Sequence, residues 1–304
     1  MIKLALVTDK PNLHIDYDMP PLLEACKQLS INADVCFWDD PSIDWAAYTA
    51  VLIRSPWDCI ENLDEFFAWC DKVHALTCLL NVPSVARWGL NKLYLKDIAA
   101  RGVPIIPSVF LAPDDAPEGH LAEFLDANTD SHEFVVKPTI GSYSRGVKRF
   151  VRGGSEAALA HIRALQKRGS HVIIQPYITT IDTYGETDLT FFDNTFSHSI
   201  RKGAMLMADG TVNVPTPEFR QPREADAEEQ AVALSALVAS AEVLGLELPL
   251  LYGRVDVIRD YDGRPMIMEM EICEPSLNLP FRADSAMNLI KGVLKRIDRH
   301  LVDL

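Results

Sequence analysis

Cysteine, long apolar runs and positive charge are all in short supply in this sequence, and each shortage removes a class of protein. The 304 residues include six cysteines, Cys26, Cys36, Cys59, Cys70, Cys78 and Cys273. None forms a C-x-x-C pair and no histidine cluster stands with them at zinc-ligand spacing, so six reduced, mostly buried thiols are expected. No stretch reaches the roughly 18 consecutive apolar residues of a membrane span. Met1 to Asp9 reads as a short buried strand, not a signal peptide, because its apolar run is brief and Asp9 follows at once. A cytoplasmic protein without a membrane partner is expected. Lys and Arg number 29 against 43 Asp and Glu, for a formal charge of −14. The cations are scattered singly or in pairs, so the basic patch that a nucleic-acid partner needs is missing. Neither a G-x-x-x-x-G-K-[ST] loop nor a G-x-G-x-x-G fingerprint occurs, which argues against a P-loop enzyme and a dinucleotide dehydrogenase. With 48% hydrophobic and 24% charged residues, the chain reads as an ordinary globular protein, long enough for two or three subdomains.

The first 90 residues alternate strand and helix. Leu4–Val7, Ala33–Phe37 and Ala50–Ile53 read as strands, and Pro21–Leu29 and Leu63–Leu76 carry apolar residues at helical spacing. This alternation predicts an α/β lobe with a parallel sheet. From residue 91 the pattern changes. A helix over Lys92–Ala100 closes at Gly102, and strands follow at Ser108–Leu111, Phe134–Lys137, Val147–Val151 and His171–Gln175, with a helix at Glu156–Arg168. Strands at Thr187–Phe192 and Thr195–Ile200 precede a long amphipathic helix at Ala225–Leu244. Strands at Tyr252–Ile258 and Pro265–Ile272 are joined through Tyr261-Asp262-Gly263, a hairpin signal. A helix over Ser285–His300 closes the chain. The boundaries expected are residues 1–90, 91–178 and 179–304, with α+β architecture in the second and third parts.

The densest chemistry lies on the last hairpin. Arg254 and Asp256 are two apart and share one strand face, as do Glu269 and Glu271 on the paired strand. Carboxylates this close repel unless a cation sits among them. Oxygen donors without His or Cys point to Mg²⁺. The alternative is a solvated polar face; Val255, Val257, Met268 and Met270 alternate with the charged set as a covered opposite face, which fits either reading. A second signal is Lys137-Pro138 leaving a buried strand into Gly141-Ser142-Tyr143-Ser144-Arg145-Gly146, a loop rich in backbone N–H groups that suits polyphosphate; the alternative is a plain hairpin turn. The third is Gln175-Pro176-Tyr177-Ile178, where a strand end could form an adenine slot, with Glu186 placed to accept from ribose hydroxyls. By itself this segment is also just a buried strand and a turn.

In this order the segments resemble the ATP-grasp superfamily, particularly its glutathione synthetase-like and D-alanine–D-alanine ligase-like members. The resemblance covers most of residues 80–280 and includes Asn91-Lys92, Lys137-Pro138 with its loop, Gln175–Ile178 with Glu186, Tyr252–Asp256 and Met268–Pro275. It implies an ATP-grasp fold behind a Rossmann-like pre-ATP-grasp domain, and a ligase that makes an acyl phosphate and passes it to an amine. It further implies that Lys92 and Lys137 contact nucleotide phosphates under a mobile loop that includes Gly141, Ser142, Tyr143 and Ser144. Gln175, Pro176, Tyr177 and Ile178 would form the adenine hinge, and Glu186 would hold the ribose. Asp256, Glu269 and Glu271 would hold Mg²⁺, two ions being expected, and Arg254 would steady the transferring phosphoryl group. Glu271 departs from the family, where Asn is common. Lys202 is a further phosphate candidate, or else a surface lysine. Arg220 is a candidate for the substrate carboxylate, or else a surface arginine. Arg54, with Ser55-Pro56-Trp57-Asp58 after a strand, is either a substrate contact or an interdomain packing turn.

The whole-chain layout also resembles a smaller ATP-grasp group, the D-cycloserine-forming ligases of antibiotic biosynthesis, in which an aminooxy amino acid closes on its own carboxylate. The expected partner is a small amino acid-like carboxylate. A homodimer is compatible with the sequence, which does not fix the oligomeric state. The alternatives are an intermolecular peptide- or amide-forming ligase and a non-catalytic nucleotide-binding module. The last is disfavoured because a degenerate module would be expected to lose part of the set Arg254, Asp256, Glu269 and Glu271.

Overall fold

The structure is a computed structural model that describes residues 2–142, 144–207, 212 and 220–302. The first sheet comprises β1 (Lys3–Thr8), β2 (Asn32–Phe37), β3 (Ala50–Ser55) and β4 (Cys78–Leu80), parallel and ordered β2-β1-β3-β4. β1 and β3 are near-continuous apolar runs because helices cover both faces. On one face lies α1 (Met19–Gln28), with Leu22, Ala25 and Cys26 buried against Leu4 and Leu6. On the other lies α2 (Leu63–Leu76), with Phe66, Cys70 and Val73 against Val7, Val51 and Ile53. All six cysteines are buried thiols, as the composition suggests.

Two short helices, α3 (Pro83–Gly89) and α4 (Tyr94–Ala99), lead onward. The helix expected from Lys92 starts two residues later. Lys92 instead stands in the preceding turn, its N–H bonded to Thr139 O at 2.8 Å, and Asn91 Oδ1 accepts from Leu93 N at 3.1 Å. The second sheet is antiparallel, ordered β5-β8-β6-β7, from β5 (Val109–Leu111), β6 (Glu133–Pro138), β7 (Lys148–Val151) and β8 (Val172–Pro176). α5 (Pro117–Ala127) and α6 (Ser155–Gln166) cover it through Leu121, Phe124, Ile162 and Leu165. α5 has no counterpart in the elements expected from sequence, although Pro117 occupies the first helical position that proline favours.

After α7 (Thr180–Tyr184) comes a third, antiparallel sheet ordered β11-β10-β9-β12-β13, from β9 (Glu186–Phe192), β10 (Thr195–Lys202), β11 (Arg220–Pro222), β12 (Tyr252–Arg259) and β13 (Pro265–Glu271). α8 (Ala227–Val243) lies across its back and begins in a capping box: Asp226 Oδ1 accepts from Glu229 N at 2.9 Å, and Glu229 Oε2 accepts from Asp226 N at 3.1 Å. Its buried face is mostly small, Ala233, Ala236, Ala239 and Ser240, so helix and sheet approach closely. A Cβ on Gly253 of β12 would lie 2.6 Å from Leu237 Cδ2. α9 (Ser285–Val302) falls within 179–304 by sequence but packs on the first sheet. Its Leu289, Ile290 and Val293, all 0% exposed, join Leu4, Leu6 and Leu22. Burying each such side chain stabilises by roughly 1.5–3 kcal/mol. No helix among the described residues is long and apolar enough to cross a membrane.

Candidate active site

A cleft opens between the second and third sheets, with Trp57, Ile60 and Leu90 of the first lobe closing one end. One half of it is apolar, and a break in strand register creates that half. Asp256 pairs with Glu269 but Val257 pairs with Ile267, so Met268 is the extra residue of a β-bulge. Met268 therefore joins Ile106, Ile178 and Ile258 on the cleft side. This corrects the expectation that Met268 shares the covered face with Val255, Val257 and Met270, because a strict two-residue period does not survive a bulge. Above this floor Gln175, Pro176, Tyr177 and Ile178 line the wall, as does Val135. Gln175 Nε2 donates to Ser108 Oγ at 2.8 Å, which turns its Oε1 to the acceptor role. The Tyr177 N–H is already bonded to Glu133 O at 2.9 Å, and the Arg149 guanidinium stacks 3.5 Å from its ring centroid. Tyr177 thus shapes the wall through its position in the strand exit.

The other half of the cleft is charged. Arg254 is the hub. Its Nε and Nη2 donate to Asp256 Oδ1 and Oδ2 at 2.8 and 2.9 Å, Nη2 also reaches Glu271 Oε1 at 2.6 Å, and Nη1 donates to Ser276 O at 3.1 Å. Lys92 Nζ pairs with Glu269 Oε1 at 2.8 Å and donates to Gly141 O at 3.1 Å. Lys137 lines the same end. Burial lowers its pKa to about 8, against the pull of Glu269. Burial alone would raise the Asp256 and Glu269 carboxyls, but Arg254 and Lys202 hold the first, and Lys92 and Lys137 the second, below their usual range. Glu271 goes the other way: burial raises it, Arg254 opposes, and the charges of Asp256 and Glu269 add to the rise.

Lys202 is no surface lysine. It is buried and ion-paired to Glu186, with Asp188 Oδ2 at 3.5 Å and Asp256 Oδ2 at 3.7 Å. The tight carboxylate group is accordingly Glu186–Asp188–Asp256, whose oxygens lie within 4.8 Å of one another. Asp256, Glu269 and Glu271 share a face as expected but answer separately to Arg254 and Lys92. Asp188 was not among the candidate residues. Register explains it: Asp188 stands opposite Asp256 across β9 and β12, and the alternation Glu186-Thr187-Asp188 puts both acids on one face. Burial and the Asp256 charge push the Asp188 carboxyl well above its usual range. Glu186, expected near the ribose, reaches the cleft but bonds to Lys202. Gly185 before it has φ +78°, and a Cβ there would lie 2.6 Å from Lys202 O, so only glycine fits the entry to β9.

Of the remaining candidates, Gly141, Ser142 and Ser144 line the mouth, and Arg145 Nη1 bonds Glu61 Oε1 of the first lobe at 2.6 Å. Tyr143 lies outside the described residues. Arg220 faces the cleft, with its guanidinium 5.3 Å from the Tyr17 ring centroid. Arg54 does not line the cleft. It is 1% exposed, donates to Pro275 O at 3.0 Å and stands 3.8 Å from Asp18, which is the packing alternative. Trp57 does line it, and its Nε1 donates to Glu274 O at 2.8 Å. Sequence reasoning also assigned no role to Glu274, which lines the cleft and whose carboxyl is pushed up to about 7 by burial and by Glu271.

Comparisons with known proteins bear on the family and the fold. Residues 4–81 match the family model described as D-cycloserine synthetase DcsG, N-terminal domain. The chain is 52% identical over 294 residues to the cycloserine biosynthesis protein DcsG of Streptomyces lavendulae, covering 97% of this chain and 98% of the relative. It superposes on a crystal structure of D-cycloserine synthetase DcsG with a TM-score of 0.94 at 52% identity, covering 97% of this chain and 99% of that one. A D-alanine–D-alanine ligase from Bacillus anthracis complexed with ATP gives a TM-score of 0.70 at 15% identity, covering 100% and 99% of the two chains. At that identity it bears on the fold alone.

Proposed function

Because this chain belongs to the D-cycloserine synthetase family and is an ATP-dependent, C–N-bond-forming ATP-grasp ligase, we propose that it closes D-aminooxyserine to D-cycloserine. One observation carries the reading. The Arg254 fork joins Asp256, Glu271 and Ser276 O at the charged end of a cleft that also holds Lys92 and Lys137. ATP and a carboxylate are both anions, and such an end is what brings them together.

The residues divide the work. The apolar half, with Met268, Ile258 and Ile178, takes the adenine, and Gln175 Oε1 accepts from its exocyclic amine. Lys92 and Lys137 neutralise phosphate oxygens as charge shifts onto ADP. Mg²⁺ fits Asp256, Glu269 and Glu271, whose hard oxygens reach one face without His or Cys among them. When bound, it supplies Lewis-acid neutralisation of the transferring phosphoryl group. Arg254 holds two of those carboxylates in register and adds its own charge. Arg220 draws the substrate carboxylate inward.

The chemistry then balances. The carboxylate oxygen attacks the γ-phosphorus and ADP leaves, giving an acyl phosphate. The aminooxy nitrogen of the same molecule attacks the acyl carbon and loses a proton, and phosphate departs with the carboxylate oxygen. The ring C–N bond is the product bond. Acyl phosphates hydrolyse readily, so Trp57, Ile60 and the 141–146 loop serve to exclude water. We take 1–90, 91–178 and 179–304 as subdomains that meet at this cleft, with α9 of the third reaching back onto the first sheet. Incubating the protein with ATP, Mg²⁺ and D-aminooxyserine should release ADP and cycloserine in equal amounts. No ADP above the substrate-free background would defeat the reading.

A further inference from the structure

Four acids of the cleft wall are answered by protein cations: Glu186 by Lys202, Asp256 by Arg254, Glu269 by Lys92 and Glu271 by Arg254. Glu274 is different. It lines the same cleft, yet among the described residues no lysine, arginine or histidine comes within ion-pair distance of it. Lys92 is near enough to be felt, but it is committed to Glu269.

The backbone that carries Glu274 is held on every side. Cys273 O accepts from Tyr252 OH at 2.7 Å, Glu274 O from Trp57 Nε1 at 2.8 Å, and Pro275 O from Arg54 Nη2 at 3.0 Å. Asp18 takes the N–H groups of Leu277 and Leu279 at 2.5 and 2.7 Å. Arg54 and Trp57 therefore act through this segment. They fix where Glu274 and Ser276, two residues apart, both meet the cleft. An acid presented so firmly, in a place where ionisation is disfavoured until a cation arrives, is preorganised for a cationic group of the ligand.

An amino acid-like substrate brings such a group. At neutral pH an aminooxy amino acid has a carboxylate, an α-ammonium and an uncharged aminooxy nitrogen. Arg220 and the lysines suit the first, and the third must stay free to attack. The α-ammonium needs an anion, and the other acids of the wall are occupied by Lys92, Lys202 and Arg254. We propose that Glu274 binds the α-ammonium of the substrate and is the residue that makes the enzyme require an α-amino group. This rests on the ring-closing reading above.

The experiment compares D-aminooxyserine with 3-aminooxypropanoate, which lacks only the α-amino group, on wild type and Glu274→Gln, by ADP release and with the ATP KM measured in parallel. Wild type should prefer the amino compound by roughly 30-fold or more in kcat/KM, the scale of a desolvated charge pair. E274Q should lose a similar factor on D-aminooxyserine, mostly through KM, with the ATP KM within about twofold of wild type. On 3-aminooxypropanoate the variant and wild type should be equal. Equal losses on both substrates, or a raised ATP KM, would overturn the assignment. So would a wild type that prefers the amino compound by less than about threefold, a comparison that stands even where E274Q does not fold. Wild type that binds ATP but turns over neither compound would instead defeat the ring-closing reading, and this inference with it.

Discussion

Removing the Arg254 fork should unfold the protein more easily, and the loss should depend on pH in a defined sense. Arg254 gives three hydrogen bonds to Asp256 and Glu271 in a buried setting. Methionine keeps much of the volume and leaves both acids without that partner. Breaking a buried pair from one side costs about 3–5 kcal/mol. Lys202 remains 3.7 Å from Asp256 and absorbs part of the damage, so about 3 kcal/mol is expected for R254M near pH 8. R254K keeps the charge but not the planar fork, and about 1–2 kcal/mol is expected there. In R254M the folded-state pKa of Asp256 rises above its unfolded value, and that of Glu271, already raised, climbs further. An acid raised in this way destabilises at pH above that pKa and ceases to do so as pH falls and the proton binds. The gap between wild type and R254M should therefore narrow from about pH 8 to about pH 6. Urea unfolding followed by circular dichroism at both pH values reads it. A variant within about 0.5 kcal/mol of wild type at the higher pH, or a gap that widens on acidification, would refute the reasoning.

Three further outcomes are expected. Burial holds Lys137 at a pKa of about 8, so its charge is lost as pH rises through that value. The ATP KM of wild type should climb above it, and that of K137M should be higher throughout and flat, as an initial-rate series across pH would record. Gly185→Ala places a Cβ against Lys202 O at positive φ. A destabilisation of about 1–3 kcal/mol is expected, with a larger loss of kcat than Gly102→Ala, where nothing lies within 4 Å, by paired thermal melts and rate assays. Gln175→Leu removes the acceptor that Ser108 orients. It should raise the ATP KM by roughly 5- to 20-fold and leave kcat nearly unchanged, measured by ADP release.

Much of the fold was legible because its signals are local. The apolar runs of β1 and β3, the helical spacing of α2, and the Tyr261–Gly263 turn each follow from a few neighbouring residues. That Arg254 and Asp256 share a strand face, as do Glu269 and Glu271, was legible from their two-residue spacing. The bulge is what brings the two pairs opposite one another, since the register set at the turn would place Asp256 opposite Met268. What stayed hidden depends on contacts distant in sequence. Asp188 enters the site only because β9 pairs with β12. Met268 faces the cleft only because a bulge breaks the two-residue period. Arg54, by its place after a strand, read equally as a substrate contact or a packing turn, and the choice rests on its Nη2 donating to Pro275 O, 221 residues away. α9 reads as part of the last segment and packs on the first sheet, since an amphipathic helix does not specify which apolar face it will cover. Glu274 is set apart by its lack of a cationic partner within ion-pair distance among the described residues, a property of the assembled cleft.

The most direct test of the account follows oxygen. D-aminooxyserine labelled with oxygen-18 in its carboxylate should transfer the label to the phosphate released during turnover, one labelled oxygen per cycloserine formed, because the acyl phosphate forms through that oxygen. Unlabelled phosphate accompanying ADP would contradict the account, since the nucleotide would then be hydrolysed by water without activating the carboxylate.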